Sequence, residues 1–259
     1  TRLVQVFINA CNISGSIPAG IGNAENLKSL EIMDTPISGI PAEIGQAKEL
    51  RTIDLSNTQV SVIPAEIGNL SHLGFLDLSF TNVTSIPAEI GQAKNLELIN
   101  LRNTQVSSIP AEIGNLSHLK SLDLSFTNLT SIPAEIGKLK ETLETLGLND
   151  TKLDEIPDEI GLLTNLRYLN LNNCQLHGEV PLIFNNIRGE IFMKNNNYSE
   201  IDWDKVAAGY VVPKICDNNL TGTIPQKVID SPYWTLNMYN CLMPQKNNGL
   251  IVPDGAFNF

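Results

Sequence analysis

A 23-residue unit recurs along most of this chain. The segment 63–85 reappears almost verbatim as 109–131. Related copies begin with an isoleucine-proline pair at 23-residue intervals, and the last one follows after 24 residues, at Ile17, Ile40, Ile63, Ile86, Ile109, Ile132 and Ile156. A fixed period of this length predicts an array in which each unit packs only against its neighbours. The 259 residues are therefore expected to form one elongated domain, although their number alone would suggest one or two globular domains.

Each unit combines a strand pattern with a helix-start pattern. In Leu76-Asp77-Leu78 apolar and polar residues alternate, which predicts a short strand with one buried face. In Ile63-Pro64-Ala65-Glu66 the proline suits a first helical position, and the glutamate suits the positive end of a helix dipole. One unit cannot bury its own leucines, but stacked units bury them in continuous rows.

The full pattern is L-x-x-L-x-L-x-x-(T/N/C)-x-L, for example Leu73, Leu76, Leu78, Thr81 and Val83. With the following I-P-x-E-I-G-x-L it resembles the typical class of leucine-rich repeats over almost the whole chain. The resemblance implies an α/β fold: a right-handed, horseshoe-shaped solenoid with a parallel β-sheet on its concave face and short helical or 3-10 turns on its convex face.

One inward slot of the unit holds threonine or cysteine where the family usually has asparagine. The family implies that this slot bonds to buried backbone between turns. We expect a structural role for its occupants, which are Thr35, Thr58, Thr81, Thr104, Thr127, Thr151, Cys11, Cys174 and Cys241. Cys216 precedes the slot residue Asn218 by two positions and is expected to face outward, whereas Cys241 in the slot is expected to face inward. We therefore predict no disulfide.

The sequence divides into four parts. We expect a partial repeat at 1–16, regular repeats at 17–179, degenerate repeats at 180–243 with an inserted loop or short helix near 202–212, and a capping tail at 244–259. The segment Leu220-Thr221-Gly222-Thr223-Ile224-Pro225 resembles plant-type repeats, and a last copy is expected around Leu236, Met238 and Cys241. The run Met243-Pro244-Gln245 resembles the ending of surface-exposed repeat proteins of gut-type Bacteroidetes.

The outward positions of the strands are the candidate binding surface. They are acidic in the first half and amide-rich in the second, with aromatic side chains on the sheet or at its edge. Exposed aromatic side chains among acids and amides suit recognition of a partner. The alternative is that water-facing strand positions are simply polar and that the edge phenylalanines pack against each other. The candidate residues are Glu31, Asp54, Asp77, Asn100, Asp123, Asn170, Phe75, Arg102, Tyr168, Phe80 and Phe126.

Composition and residue spacing narrow the function classes. A formal net charge of −11 disfavours nucleic acids and anionic membranes as partners. No apolar run approaches the roughly 20 residues of a membrane-spanning helix. His72 and His118 lie two repeats apart, about 10 Å at strand spacing, which is too far for one metal ion. Catalysis needs unlike groups converging at one spot, which a repeated surface does not offer.

We therefore expect a monomeric, non-catalytic module, without cofactor or metal, that binds a protein, peptide or glycan on its concave face. The alternatives are an adhesive or architectural cell-surface protein, or the substrate-recognition part of a larger bacterial effector enzyme. The expected location is extracellular or at the cell surface. The sequence starts in mid-repeat, so a signal or anchor segment would lie outside it.

Overall fold

The computed structural model describes residues 3–246 and 249–253. Nine successive repeats each contribute one strand to a parallel sheet, and the strands follow one another in chain order. This arrangement confirms the predicted leucine-rich repeat solenoid, and the nine-stranded sheet is called the concave sheet below. Its strands are Gln5–Asn9, Ser29–Met33, Thr52–Asp54, Phe75–Asp77, Leu98–Asn100, Ser121–Asp123, Thr145–Gly147, Tyr168–Asn170 and Glu190–Phe192.

The strands pair in register, so that equivalent residues of successive repeats form rows. Ile53 pairs with Leu76, which pairs with Ile99, and this row is buried in the core. The row beside it runs through Asp54 and Asp77 and faces out of the sheet. The alternation of the sequence therefore separates a continuous apolar core from an outward polar surface.

The convex side is built from 3-10 turns that start after the repeated proline. Pro64, for example, has an extended backbone (φ −68°, ψ 145°) before the turn begins. The glycine of each turn allows close stacking: a Cβ on Gly45 would lie 2.6 Å from the carbonyl oxygen of Glu66 in the next repeat. The turns are Ala19–Asn23, Ala42–Gln46, Ala65–Asn69, Ala88–Gln92, Ala111–Asn115, Ala134–Leu139 and Asp158–Leu162.

The slot threonines are buried, as expected, but their hydrogen bonds to backbone carbonyls stay within one repeat, and the Thr35 hydroxyl has no partner among the described residues. The Thr58 hydroxyl donates to the carbonyl of Leu55 at 2.7 Å, and the Thr81 hydroxyl donates to that of Leu78 at 2.6 Å. Thr104, Thr127 and Thr151 repeat this bond. The bonding between turns that the family resemblance implied is thus not made by these hydroxyls.

In the C-terminal part, amide side chains fill the same slot and do join neighbouring turns. The Asn196 amide donates to carbonyls of Met193 and of Leu171, the latter one repeat earlier. Its oxygen accepts from the backbone N–H of Leu176. Asn218 and Gln245 are equally buried and make similar bonds.

Two segments of this part contain α-helices. The segment 202–212, expected as an inserted loop or a short helix, leaves the period nearly unchanged, since Asn218 follows Asn196 by 22 residues. It is the convex turn of its repeat and contains the helix Trp203–Ala207, whose N-terminus is capped by Asp202. The expected strand around Met238 is instead the helix Leu236–Leu242, capped by the hydroxyl of Thr235. A local capping residue overrides the repeat pattern at both places.

Short elements complete the fold. The helix Gln226–Ile229 packs beside Trp203–Ala207. Three two-stranded parallel sheets join Gly15–Ser16 to Ile37–Gly39, His177–Glu179 to Asn197–Glu200, and Gly222–Thr223 to Leu250–Ile251. The predicted capping tail at 244–259 is described only in part, since 247–248 and 254–259 lie outside the described residues.

All four cysteines are free thiols. Cys174 is buried in the slot, whereas Cys11 is exposed and Cys241 is half-buried on a helix. Cys216 is only 3% exposed, so the prediction that it faces outward is wrong. The equivalent positions Ser79 and Ser125 of two regular repeats are buried as well, whereas Ser56 and Arg102 are half-buried.

Candidate binding surface on the concave sheet

Three carboxylates stand next to one another on adjacent strands. Glu31 pairs with Asp54, and Asp54 pairs with Asp77, so neighbouring positions are about 4.8 Å apart. All three side chains are half-buried. Among the residues that the structure describes, none of them forms a salt bridge. This half of the sheet therefore presents negative charge without a neutralising cation.

Asp54 and Asp77 also accept hydrogen bonds from backbone N–H groups just past the ends of their strands. Asp77 accepts from the backbone N–H and the hydroxyl of Ser79 at 2.8 and 2.6 Å through one oxygen. Its other oxygen accepts from the Asn100 amide at 2.8 Å. Asp54 accepts a bond from the backbone N–H of Ser56 at 3.0 Å through Oδ1. Asp54 Oδ2 has no hydrogen-bond partner in the described part of the chain. These aspartates therefore both present charge on the outward surface and stabilise the ends of their strands.

The rest of the row changes character after Asn100. Asp123 accepts from the backbone N–H of Ser125 at 2.9 Å. The row is then interrupted at Gly147, where a Cβ would lie 2.6 Å from the Asp123 carboxylate. Asn170 accepts from the N–H of Asn172 and donates to the Tyr168 hydroxyl at 3.2 Å. The second half of the surface is thus polar with fewer free charges.

Aromatic side chains lie at both ends of this row, and two of them were missed in the sequence. Phe7 pairs with Glu31 on the first strand pair and is 59% exposed. Phe192 pairs with Asn170, and its ring centroid lies 5.4 Å from that of Tyr168. Both phenylalanines occupy the same outward position as Asp54, so the alignment of strands was the signal that could have found them.

One cation, Lys214, lies beside Phe192 and is paired with a carboxylate. The Lys214 ammonium lies 4.4 Å from the centre of the Phe192 ring and 2.6 Å from the Glu190 carboxylate. Phe75, in contrast, is half-buried in the acidic half, where no ring contact is found within the described residues. The two ends of the surface therefore differ in charge as well as in shape.

Phe80 and Phe126 lie just past their strands, on the rim of the sheet. They are 51% and 39% exposed, with backbone φ angles of 56° and 60°. The Arg102 guanidinium lies 4.4 Å from the centre of the Phe126 ring. The two rings do not stack on each other, since the one aromatic pair in the described segments is Tyr168–Phe192.

The imidazole rings of His72 and His118 form hydrogen bonds with backbone carbonyls. His72 and His118 place Nδ1 at 3.0 and 2.9 Å from the carbonyl oxygens of Lys48 and Lys94, one repeat earlier. Within the described ranges, no group of three or more His, Cys, Asp or Glu side chains is placed to hold a metal ion. No helix in this part of the chain is long and apolar enough to cross a membrane.

Sequence comparison identifies the repeats directly. The model of the leucine-rich repeat region matches residues 111–188, and a second leucine-rich repeat model matches residues 49–70. A search of curated proteins returned no match. The chain is thus a solenoid of leucine-rich repeats, as its fold also indicates.

Solved structures with this fold include receptors of plants. The plant peptide hormone receptor RGFR1 in complex with RGF2 is 28% identical, with a TM-score of 0.73, over 89% of this chain and 42% of the receptor chain. A TDR receptor is 27% identical, with a TM-score of 0.74 and the same coverage. The ectodomain of the receptor kinase GASSHO1/SCHENGEN3 from Arabidopsis thaliana, in complex with CASPARIAN STRIP INTEGRITY FACTOR 2, is 26% identical, with a TM-score of 0.65 over 96% and 30%.

This chain thus spans less than half the length of the three receptor chains that it matches. Two of these receptor structures are described as complexes, and the similarity places this chain in the same structural class. The resemblance to Bacteroidetes surface proteins finds no support in these comparisons.

Proposed function

We propose that this chain is a non-catalytic recognition module that binds an extended segment of a peptide or protein across the concave sheet. The observation that carries this proposal is the row Glu31, Asp54 and Asp77, whose carboxylates face outward without a salt bridge in the described part of the chain. Exposed, unpaired charge on a fixed sheet attracts a partner of opposite charge. We therefore assign basic side chains to the ligand segment that lies over the acidic half.

The distribution of charge supports a defined ligand direction. Carboxylates dominate the first strands, whereas Lys214 lies beside Phe192 on the last strand of the sheet. A ligand with basic residues at one end fits this surface in only one orientation. The backbone bonds between repeats hold the surface in place before binding, so little ordering is required when the ligand docks.

The similar receptor structures support both the ligand class and the location. Two of them are complexes, one of which is described as a peptide hormone receptor bound to RGF2 and the other as an ectodomain. We accordingly assign this chain to the outside of the cell, as a monomer that meets its partner there.

Selection from a display library of random linear peptides tests this proposal. The selected peptides should be enriched in lysine and arginine. The double substitution Asp54→Asn and Asp77→Asn should weaken their binding about tenfold, since exposed charge pairs contribute up to about 1 kcal/mol each. Asparagine keeps the oxygen that accepts the strand-end hydrogen bonds, and only the Asn100 amide loses its acceptor on Asp77, so the fold should be retained.

The matched control neutralises two acids on the convex turns, Glu43→Gln and Glu66→Gln, which lie in the first turn of their 3-10 segments. Binding should remain at the wild-type level. Equal loss of binding in both double variants would mean that only overall charge attracts the peptides, and the concave location would be wrong.

A further inference from the structure

We propose that Phe80, Asn103 and Phe126 form a peptide-binding clamp on the rim of the concave sheet. The clamp holds two apolar side chains, three residues apart, of an extended peptide. This inference rests on the proposed function and specifies which side chains the binding surface selects. We call these three residues the rim clamp.

The rim has one residue per repeat in the left-handed backbone conformation. The φ angles lie between 52° and 60°, at Ala10, Asp34, Asn57, Phe80, Asn103, Phe126, Asp150, Asn173, Asn195 and Asp217. Seven of these ten residues are asparagine or aspartate, which tolerate this conformation. A bulky residue such as phenylalanine is an outlier there. The two phenylalanines therefore introduce strain at positions where the chain otherwise avoids it.

The phenylalanines also interrupt a row of side-chain hydrogen bonds. On the rim, Asn57 donates to Asp34 at 2.5 Å, Asn173 donates to Asp150 at 3.0 Å, and Asn195 donates to Asn173 at 2.9 Å. Asn103 has phenylalanine on both sides, and its side-chain amide has no hydrogen-bond partner in the described part of the chain. Phe80 is 51% exposed, so burial does not compensate for the strain and the missing bonds. Strain that folding does not explain points to a binding role.

The geometry of the rim fits an extended peptide. The N–H of Phe80 donates to the carbonyl of Arg102, and the N–H of Asn103 donates to that of Ser125, both at 2.9 Å. These bonds fix the three residues just past successive strands, so Phe80 and Phe126 lie about 9.6 Å apart at the strand spacing. An extended chain in the polyproline II conformation has three residues per turn and advances about 3.1 Å per residue. Two side chains that are three residues apart therefore lie on the same face of such a peptide, about 9.3 Å apart, which matches the distance between the two phenylalanines.

Each member of the rim clamp has a distinct contact to offer. Arg102 lies over one face of the Phe126 ring, which holds that ring in place and leaves its other face for a ligand. The Asn103 amide between the two rings can donate to and accept from one peptide group. Asp54 and Asp77 lie on the sheet nearby, which favours basic side chains elsewhere in the same peptide. The occupant is therefore an extended, basic peptide with apolar side chains at positions i and i+3.

A designed peptide series tests this inference. Each peptide has a glycine-serine host with two lysines and two leucines, and the leucines are separated by two, three, four or five positions. Fluorescence anisotropy measures the affinity of each peptide. The peptide with leucines at i and i+3 should bind about tenfold more tightly than the others, as expected when both leucines rather than one are buried.

The substitutions Phe80→Asn and Phe126→Asn should each remove this spacing preference and lower the affinity of the i, i+3 peptide to that of the others. The melting temperature should rise or stay unchanged, because asparagine suits the left-handed conformation. Asn103→Ala should lower affinity for all four peptides by a similar factor. The control Asn57→Ala changes a rim residue outside the clamp and should leave affinity unchanged.

Several outcomes would overturn the rim clamp while leaving the proposed function intact. One is binding of all four peptides with equal affinity, provided that Asp54→Asn and Asp77→Asn still weaken it. Another is a marked fall in melting temperature for Phe80→Asn or Phe126→Asn, which would give the rings a structural role. If library-selected peptides bind but none of the designed series does, the rim clamp is also wrong. Failure of every peptide, selected or designed, would overturn both proposals.

Discussion

The repeats with a slot threonine and those with a slot amide hold their neighbours together in different ways. The Thr81 hydroxyl has one proton to donate, and it bonds to the carbonyl of Leu78 in its own repeat. The Asn218 amide donates to the carbonyls of Ile215 and Met193, and its oxygen accepts from the N–H of Tyr198. One asparagine therefore connects several backbone segments, including one in the preceding repeat.

Cys174 lies at the junction between these two regions. Its thiol lies 3.2 Å from the Thr151 hydroxyl and 3.3 Å from the carbonyl of Leu148, in the preceding repeat. Burial raises the pKa of this thiol, which keeps it uncharged. The comparison teaches that in the regular repeats the slot threonine makes no hydrogen bond to the backbone of a neighbouring repeat, whereas in the irregular C-terminal repeats the slot amides connect neighbouring turns.

The largest effect that this comparison predicts is for Asn218→Ala. The change leaves buried carbonyls and one N–H of the backbone without partners, and each unsatisfied group costs about 1 kcal/mol or more. We expect the free energy of unfolding to fall by about 3 kcal/mol, measured by urea denaturation. A decrease in the free energy of unfolding that is smaller than the decrease for Thr81→Val would contradict the role of the Asn218 amide in connecting repeats.

The next largest effect is expected for Gly91→Ala in the regular region. A Cβ on Gly91 would lie 2.5 Å from the carbonyl oxygen of Glu112, so the adjacent convex turns would have to separate. The expected destabilisation is about 2 kcal/mol, the range found for overpacking. Gly20→Ala is the matched control, because a Cβ there meets nothing within 4 Å. Equal melting temperatures for both variants would show that close stacking of the turns is unimportant.

Much of this fold could be predicted because the repeat constrains each residue several times. The period, the buried leucine rows and the proline before each convex turn predicted the parallel solenoid. The prediction failed at Leu236–Leu242, where the capping Thr235 starts an α-helix in place of the expected repeat strand. At Trp203–Ala207 the sequence left an inserted loop and a short helix as alternatives, and the capping Asp202 starts the helix. Gln245 fills the slot of the repeat that follows Asn218. The segment between these two residues is longer than the repeat period, so the period does not predict this position.

The candidate surface could be predicted as a row of positions but not as a set of contacts. Strand alternation places Asp54, Asp77 and Tyr168 on the outward face. The sequence does not show that Asp77 also bonds to Ser79 and Asn100, since those bonds depend on how the chain turns after the strand. The left-handed backbone conformation of Phe80 and Phe126 also depends on how the chain turns after the strand. The sequence does not indicate it, because neither position holds a glycine.

A smaller effect is expected for Thr81→Val, which tests the threonine side of the comparison. Valine has nearly the same shape but cannot donate to the carbonyl of Leu78. The loss should be about 1 kcal/mol in the free energy of unfolding, the net contribution of one hydrogen bond. A loss as large as that of Asn218→Ala would mean that the threonine hydroxyls also stabilise contacts between repeats.

The smallest effect on stability is expected for the double substitution Asp54→Asn and Asp77→Asn on the concave sheet. The strand-end hydrogen bonds remain. The lost bond from the half-buried Asn100 amide to Asp77 is offset by the removal of two neighbouring like charges, so the free energy of unfolding should change by less than about 1 kcal/mol. Binding of basic peptides should nevertheless weaken, and its decrease with added salt should become shallower, because fewer charge pairs are screened. Measuring unfolding and salt-dependent binding on the same variant separates the two roles of these aspartates. A large loss of stability would show that their charge serves the strand ends, and would leave the amide-rich half as the better candidate for the ligand.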